Sequence, residues 1–187
     1  IAGPGFINFF LKEQFFFRLL NSQNNRFQDQ SSVNIEFVSA NPTGPLHLAH
    51  GRGAIVGDVL SNLYQFYGHI VTREYYVNNT GNQINEFLSS ILFHISSKHN
   101  LNLPYQQFYK GDYIQDLAEK CFENFKNIFD SPKLSKDEEL QIVNFAIENL
   151  VNQSLKTLKH SGINFDQITY ETSIVEKKLL PEIIKEL

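Results

Sequence analysis

Apolar positions in this chain change period several times, and each change marks an element. Val33, Ile35 and Phe37 share one parity and are β-branched or aromatic, which predicts a strand. From Leu48 to Tyr67 the residues Ile55, Val59, Leu63 and Phe66 recur at helical spacing, and Gly68 stands where a helix-closing residue belongs. The stretch HIVTREYYV at 69–77 predicts a second strand. Ile84, Phe87, Leu88, Ile91, Leu92 and Ile95 predict a second helix. Strand, helix, strand, helix with short joints is a βαβ unit, which pairs its strands in parallel through a right-handed crossover. Residues 105–161 read as helical throughout, broken at Ser131, Pro132 and Lys133, so a helical insertion is expected at about 100–162. FDQITYETSI at 165–174 resumes a strand, and VEKKLLPEIIKEL begins another helix. The expected fold class is α/β, a parallel-sheet core with a helical insertion.

Ahead of the first strand, residues 6–11 alternate as a short strand and residues 12–23 carry a helical pattern. Residues 24–32, NNRFQDQSS, are polar without apolar period and read as a linker, which places a domain boundary near residue 30. The chain opens on Ile1 and ends at Leu187 inside an unfinished helical pattern, so a portion of a longer protein is expected.

Composition narrows the classes. With 42% hydrophobic residues and a net charge of -4, the chain is globular in type and has no field to gather nucleic acid non-specifically. The single cysteine, Cys121, cannot form an internal disulfide, which suits a reducing, cytoplasmic setting. No apolar run approaches the roughly 18 residues of a membrane span.

The stretch SANPTGPLHLAHGRGA at 39–54 joins the first strand to its helix, where parallel α/β sheets bind ligands. Pro42 and Pro45 forbid helix until about Leu46. Gly44, Gly51 and Gly53 leave room for a ligand near the backbone. His47 and His50, three apart at a helix N-terminus, can project together beside an anion site. Two such donors suit a polyphosphate whose oxygens gain charge as an α-phosphorus is attacked. Other readings compete. The histidines could be zinc ligands, but no cysteine or carboxylate cluster completes a set and HLAH is not HExxH. They could be plain structural histidines. The glycines are not spaced as a dinucleotide fingerprint, and no Walker lysine follows.

With those residues in view, EFVSANPTGPLHLAHGRGAIVGD resembles the signature region of class I arginyl-tRNA synthetases. AGPGFINFFL, REYYVNNTGNQI and FDQITYETSI are similar to three further stretches of that family, in the same order. The resemblance implies the first half of a Rossmann-like nucleotide-binding core at 31–187, preceded at 1–30 by the end of an N-terminal added domain. It also implies ATP-dependent activation of arginine to arginyl-adenylate, followed by transfer to tRNA(Arg). Carried over by position, His47 and His50 are the catalytic pair. Gly44, Pro45, His47, Ala49, His50 and Gly51 line ATP. Ser39, Asn41 and His50 hold the backbone end of arginine, and Glu171 faces its guanidinium, a match of planar fork to carboxylate. ATP is expected as a substrate with magnesium and no tightly bound cofactor. The implied partners are L-arginine and tRNA(Arg), with no membrane, for a monomeric cytoplasmic enzyme.

Two residues depart from the family: Ala49 replaces a glycine beside adenine, and Asn79 replaces an aspartate. The second class I signature and the anticodon-binding domain are not among these 187 residues, so the chain alone is expected to be inactive. Glu36 is expected to pair with an arginine of the protein, such as Arg73, or with something at the site, and Asn82 with Gln83 to cap a helix start or orient the site. Two other functions stay open: a different HxGH nucleotidyltransferase, and a non-catalytic synthetase-like binding module.

Overall fold

The computed structural model describes residues 3, 5, 7–21, 30–131, 133–176 and 184. The elements run α1 (Glu13–Asn21), β1 (Ser32–Glu36), α2 (Leu48–Phe66), β2 (Ile70–Val77), α3 (Asn82–His99), α4 (Asp112–Asn124), a short 3-10 turn (Lys126–Asp130), α5 (Lys136–His160), β3 (Gln167–Tyr170) and α6 (Glu171–Glu176). The strands form one sheet in the order β1-β2-β3, all parallel. β1 pairs with β2 from Ser32↔Ile70 to Glu36↔Glu74, and β2 with β3 from Glu74↔Gln167 to Val77↔Tyr170. The expected βαβ unit is present, and α3, α4 and α5 are inserted before β3.

The two faces of the sheet differ. On one, Tyr75 and Val77 are buried in a core shared with Phe87 and Ile91 of α3, Ile114 of α4 and Ile147 of α5. On the other, Glu74 accepts hydrogen bonds from Asn34, Thr169 and Gln167, one strand tied to both neighbours. Those bonds, from Thr169 and Asn34 first, hold the Glu74 carboxyl below its ordinary range despite the opposing effect of burial. Among the described residues no helix is long and apolar enough to cross a membrane.

α2 reverses the expected face. Its buried residues are Ala54, Gly57 and Ser61, while Ile55, Val59, Leu63 and Phe66 are exposed, Phe66 by 78%. The small stripe lets the helix lie close on the sheet, with the Phe37 ring filling the contact. A Cβ built on Gly57 would stand 2.2 Å from that ring. Gly57→Ala is therefore expected to destabilise the protein by about 1–3 kcal/mol through overpacking, read as a lowered midpoint in urea. An unchanged midpoint would mean that the helix does not rest on Phe37.

Four further expectations are corrected. Of the strand expected at 6–11, the described residues 7–11 are not in a strand, and Ile7, Phe9 and Phe10 are exposed; among the described residues no neighbouring ladder pairs with them, and alternation alone does not make a strand. Residues 105–110 are not helical. They lie along α3, where the Ser89 hydroxyl accepts from Gln106 N–H and the Ser90 hydroxyl from the N–H groups of Phe108 and Tyr109. Serine oxygens thus replace the helical acceptors, and α4 starts only after Gly111, at φ 132°. The last strand is confined to Gln167–Tyr170, and Glu171 begins a helix. Finally, Arg73 does not pair with Glu36: its guanidinium donates to Asn62 (2.8 Å) and Gln65 (3.1 Å) and lies 3.6 Å from Asp58, all on α2. Most of the proposed linker and of the last helix falls outside the described residues.

Candidate functional site

The loop from β1 to α2 is shaped by its backbone. Val38 and Ser39 both have left-handed φ, 64° and 38°. A β-branched residue there is strained, and such strain persists only where the surroundings hold it. Here they do. The Ser39 hydroxyl accepts from Tyr76 N–H at 3.0 Å, Tyr75 donates its hydroxyl to Ala40 O at 3.4 Å, and Tyr113 donates to Thr43 O at 2.9 Å. Ala40 and Thr43 are buried, and Asn41 between them is exposed. Two tyrosines on other elements therefore pin the loop from behind and leave its outer side to solvent.

α2 begins at the end of that loop with His47 as its N-cap in extended conformation. The His47 N–H, an orphan donor of the helix start, donates to His50 Nδ1 at 3.2 Å. The rings stack with centroids 3.7 Å apart and 23° between planes. Burial, and then the charge His47 would carry beside it, lower the His50 pKa from its usual value. The ring is thus neutral at pH 7. Since Nδ1 accepts, the proton sits on Nε2, which can donate to a ligand. His47, Leu48 (92%) and Ala49 are exposed around it, and added Cβ atoms on Gly51 or Gly53 would meet nothing within 4 Å. The space in front of the helix start is open.

A second group gathers at the carboxyl ends of the strands. Burial raises the pKa of the Tyr76 phenol, and the charges of Glu171 and then Glu36 raise it further. Two carboxylates from β1 and the β3–α6 junction therefore act on one phenol. Of the two partners expected for Glu36, Arg73 is engaged with α2, and Glu36 is exposed at the end of β1, toward the site. Its parity, opposite to Val33, Ile35 and Phe37, already placed it on the polar face and was the available signal. Asn82 does not cap α3. Gly81 holds the N-cap position at φ 83°, where a side-chain cap is impossible, and Asn82 donates to Glu86 at 2.8 Å within the helix.

On the helical side, a cavity of about 720 Å³ is lined by Asn79, Tyr170 and Thr172 and by Ile84, Leu88 and Val143 of α3 and α5. None of the histidines, Ser39, Asn41 or Glu171 lines it. Cys121 is fully buried and its thiol is pushed up to about 12, which makes it unreactive. No three His, Cys, Asp or Glu side chains among the described residues gather as metal ligands.

The family profile of tRNA synthetases class I (R), catalytic domain, matches residues 17–187. Arginine--tRNA ligases of Pelagibacter ubique and Rickettsia akari are 40% and 36% identical over 100% and 99% of this chain. The chain spans 34% of the length of each. A solved Campylobacter jejuni chain, also carried under an arginyl tRNA synthetase name, has a TM-score of 0.69 at 36% identity, covering 87% of this chain and 37% of that one. The Thermus thermophilus arginyl-tRNA synthetase, at 16% identity and TM-score 0.59, shares the fold over 95% of this chain and 30% of its own.

Proposed function

The chain belongs to the class I tRNA synthetases for arginine, within their catalytic domain, and from that premise we propose that the longer protein containing it is an arginine--tRNA ligase. The observation that best supports this is the pairing of a neutral-imidazole helix start with an acidic group at the same end of the sheet. One end suits an anion and the other a guanidinium.

In the proposed reaction an arginine carboxylate oxygen attacks the α-phosphorus of ATP. An oxygen–phosphorus bond forms, the bond to the outer two phosphates breaks, and pyrophosphate leaves with arginyl-adenylate behind. A ribose hydroxyl of tRNA(Arg) then attacks the arginyl carbonyl and AMP leaves. His50 Nε2–H and the His47 ring hold phosphate oxygens as charge builds on them. Gly44, Pro45, Ala49 and Gly51 border the nucleotide. Asn41 and Ser39 hold the backbone end of arginine. The Ser39 oxygen, which accepts from Tyr76 N–H, keeps one lone pair for the ammonium. Glu171, with Glu36 across Tyr76, receives the guanidinium. Magnesium arrives with ATP, held by phosphates and water rather than by a protein cage. We place residues 1–30 in a preceding domain and take the enzyme as a cytoplasmic monomer.

Pyrophosphate exchange into ATP by the longer protein, with tRNA present and each amino acid supplied in turn, tests the reading. Exchange is expected with arginine alone. Exchange that ignores arginine would indicate another HxGH nucleotidyltransferase, and no exchange with any amino acid would indicate a binding module.

A further inference from the structure

We propose that Asn79 is a positioning residue for Glu171, acting through Thr172; the proposal rests on the reading of Glu171 as the guanidinium ligand. The ladder between β2 and β3 ends at Val77↔Tyr170, so the chain beyond it on either side has no further strand pairing. Asn79 supplies the missing tie. Its Oδ1 accepts from the Thr172 N–H at 3.1 Å, and its Nδ2 donates to Thr172 Oγ1 at 3.0 Å. The amide orientation follows from the first bond, because only the oxygen can accept from a backbone N–H. That N–H lies in the first turn of α6, where it has no helical acceptor. Ser173 closes the same turn by donating its hydroxyl to Tyr170 O at 2.7 Å. Glu171 is therefore fixed on both sides, by the last sheet pair at Tyr170 and by the clamp at Thr172.

The choice of amide over carboxylate matters here. An aspartate at 79 would accept from the same N–H and from the Thr172 hydroxyl, so the clamp could survive. It would also set a negative charge against Thr172, the residue that follows Glu171. Asparagine makes both bonds without that charge. The clamp fixes the backbone that carries the Glu171 carboxylate while Asn79 itself does not touch arginine, and placement errors near 1 Å are costly for two-point recognition.

The test uses the full-length enzyme. Asn79→Ala is expected to raise the KM for arginine about tenfold and leave the KM for ATP and kcat nearly unchanged. Asn79→Asp, whose carboxylate accepts from both the N–H and the hydroxyl of Thr172, is expected to recover most of that loss. In a Glu171→Ala background, Asn79→Ala is expected to add less than about twofold, because a residue acting through the Glu171 carboxylate has nothing left to position. Thr172→Val, which keeps the backbone bond and loses the hydroxyl bond, is the milder variant should Asn79→Ala not fold, and is expected to raise the KM for arginine about threefold. Multiplicative effects in the double variant, or an unchanged KM for arginine in Asn79→Ala and Thr172→Val alongside a raised one in Glu171→Gln, would overturn the clamp and leave the site reading standing. An unchanged KM in Glu171→Gln would remove both.

Discussion

His50→Ala lowers the rate of arginine activation by about 100- to 1000-fold in the longer protein, the loss expected when one donor to developing charge is removed, roughly 2.7–4 kcal/mol. The expectation follows from the tautomer. His50 Nδ1 is occupied by the His47 N–H, so the ring offers Nε2–H outward and needs no reorganisation when charge appears on phosphate. Its lowered pKa keeps it in that form at pH 7. Protonation would break the Nδ1 bond, so the rate should hold down to the ordinary histidine range near 6.5 and fall below it. The substitution also removes a helix-start acceptor, which costs about 1 kcal/mol of stability and is too little to unfold a domain. Single-turnover formation of arginyl-adenylate measures the rate, and thermal unfolding separates the two effects. A fall of less than threefold with intact folding would remove His50 from the mechanism. A rate that instead rises as the pH falls through the histidine range, and that does so no longer in His50→Ala, would show that the working ring is charged.

Much of this was legible because local and global signals agreed. Val33, Ile35 and Phe37 gave β1, Gly68 ended α2 with φ 99°, and the histidines met at a helix start as their spacing required. Legibility failed where two patterns overlapped. α2 is apolar on more than one side, so periodicity could not tell the face on Phe37 from the exposed one, and the deciding residue was Gly57. It failed again at 105–110, where side-chain hydroxyls of α3 competed with helical acceptors. It failed for one of the two readings of Glu36, because a carboxylate in a strand was assumed to need a partner within the protein. That holds for a sheet covered on both faces, and among the described residues the Glu36 face is polar and open.

Glu171→Gln raises the KM for arginine by about 2- to 30-fold, since a hydrogen bond to a charged group is worth about 1.5–3 kcal/mol against about 1 for a neutral one. Size and hydrogen-bond reach are kept, so the change isolates charge. The loss is expected in arginine binding and not in the KM for ATP, because the proposed phosphate ligands, His47 and His50, stand at the start of α2 and not on the β3–α6 junction that carries Glu171. Citrulline sharpens the test: it has the shape of arginine with a neutral urea in place of the guanidinium. The native carboxylate should favour arginine strongly, and the glutamine variant should narrow that preference by nearly the factor lost for arginine. A preserved arginine-to-citrulline ratio would mean that the charge is read elsewhere. Glu36 is then the next residue to examine, since it acts on the same Tyr76 phenol from the opposite strand. Substituting both carboxylates distinguishes shared from single recognition: if they grip one guanidinium together, the pair costs less than the product of the singles, because the second loss falls on a cation already released.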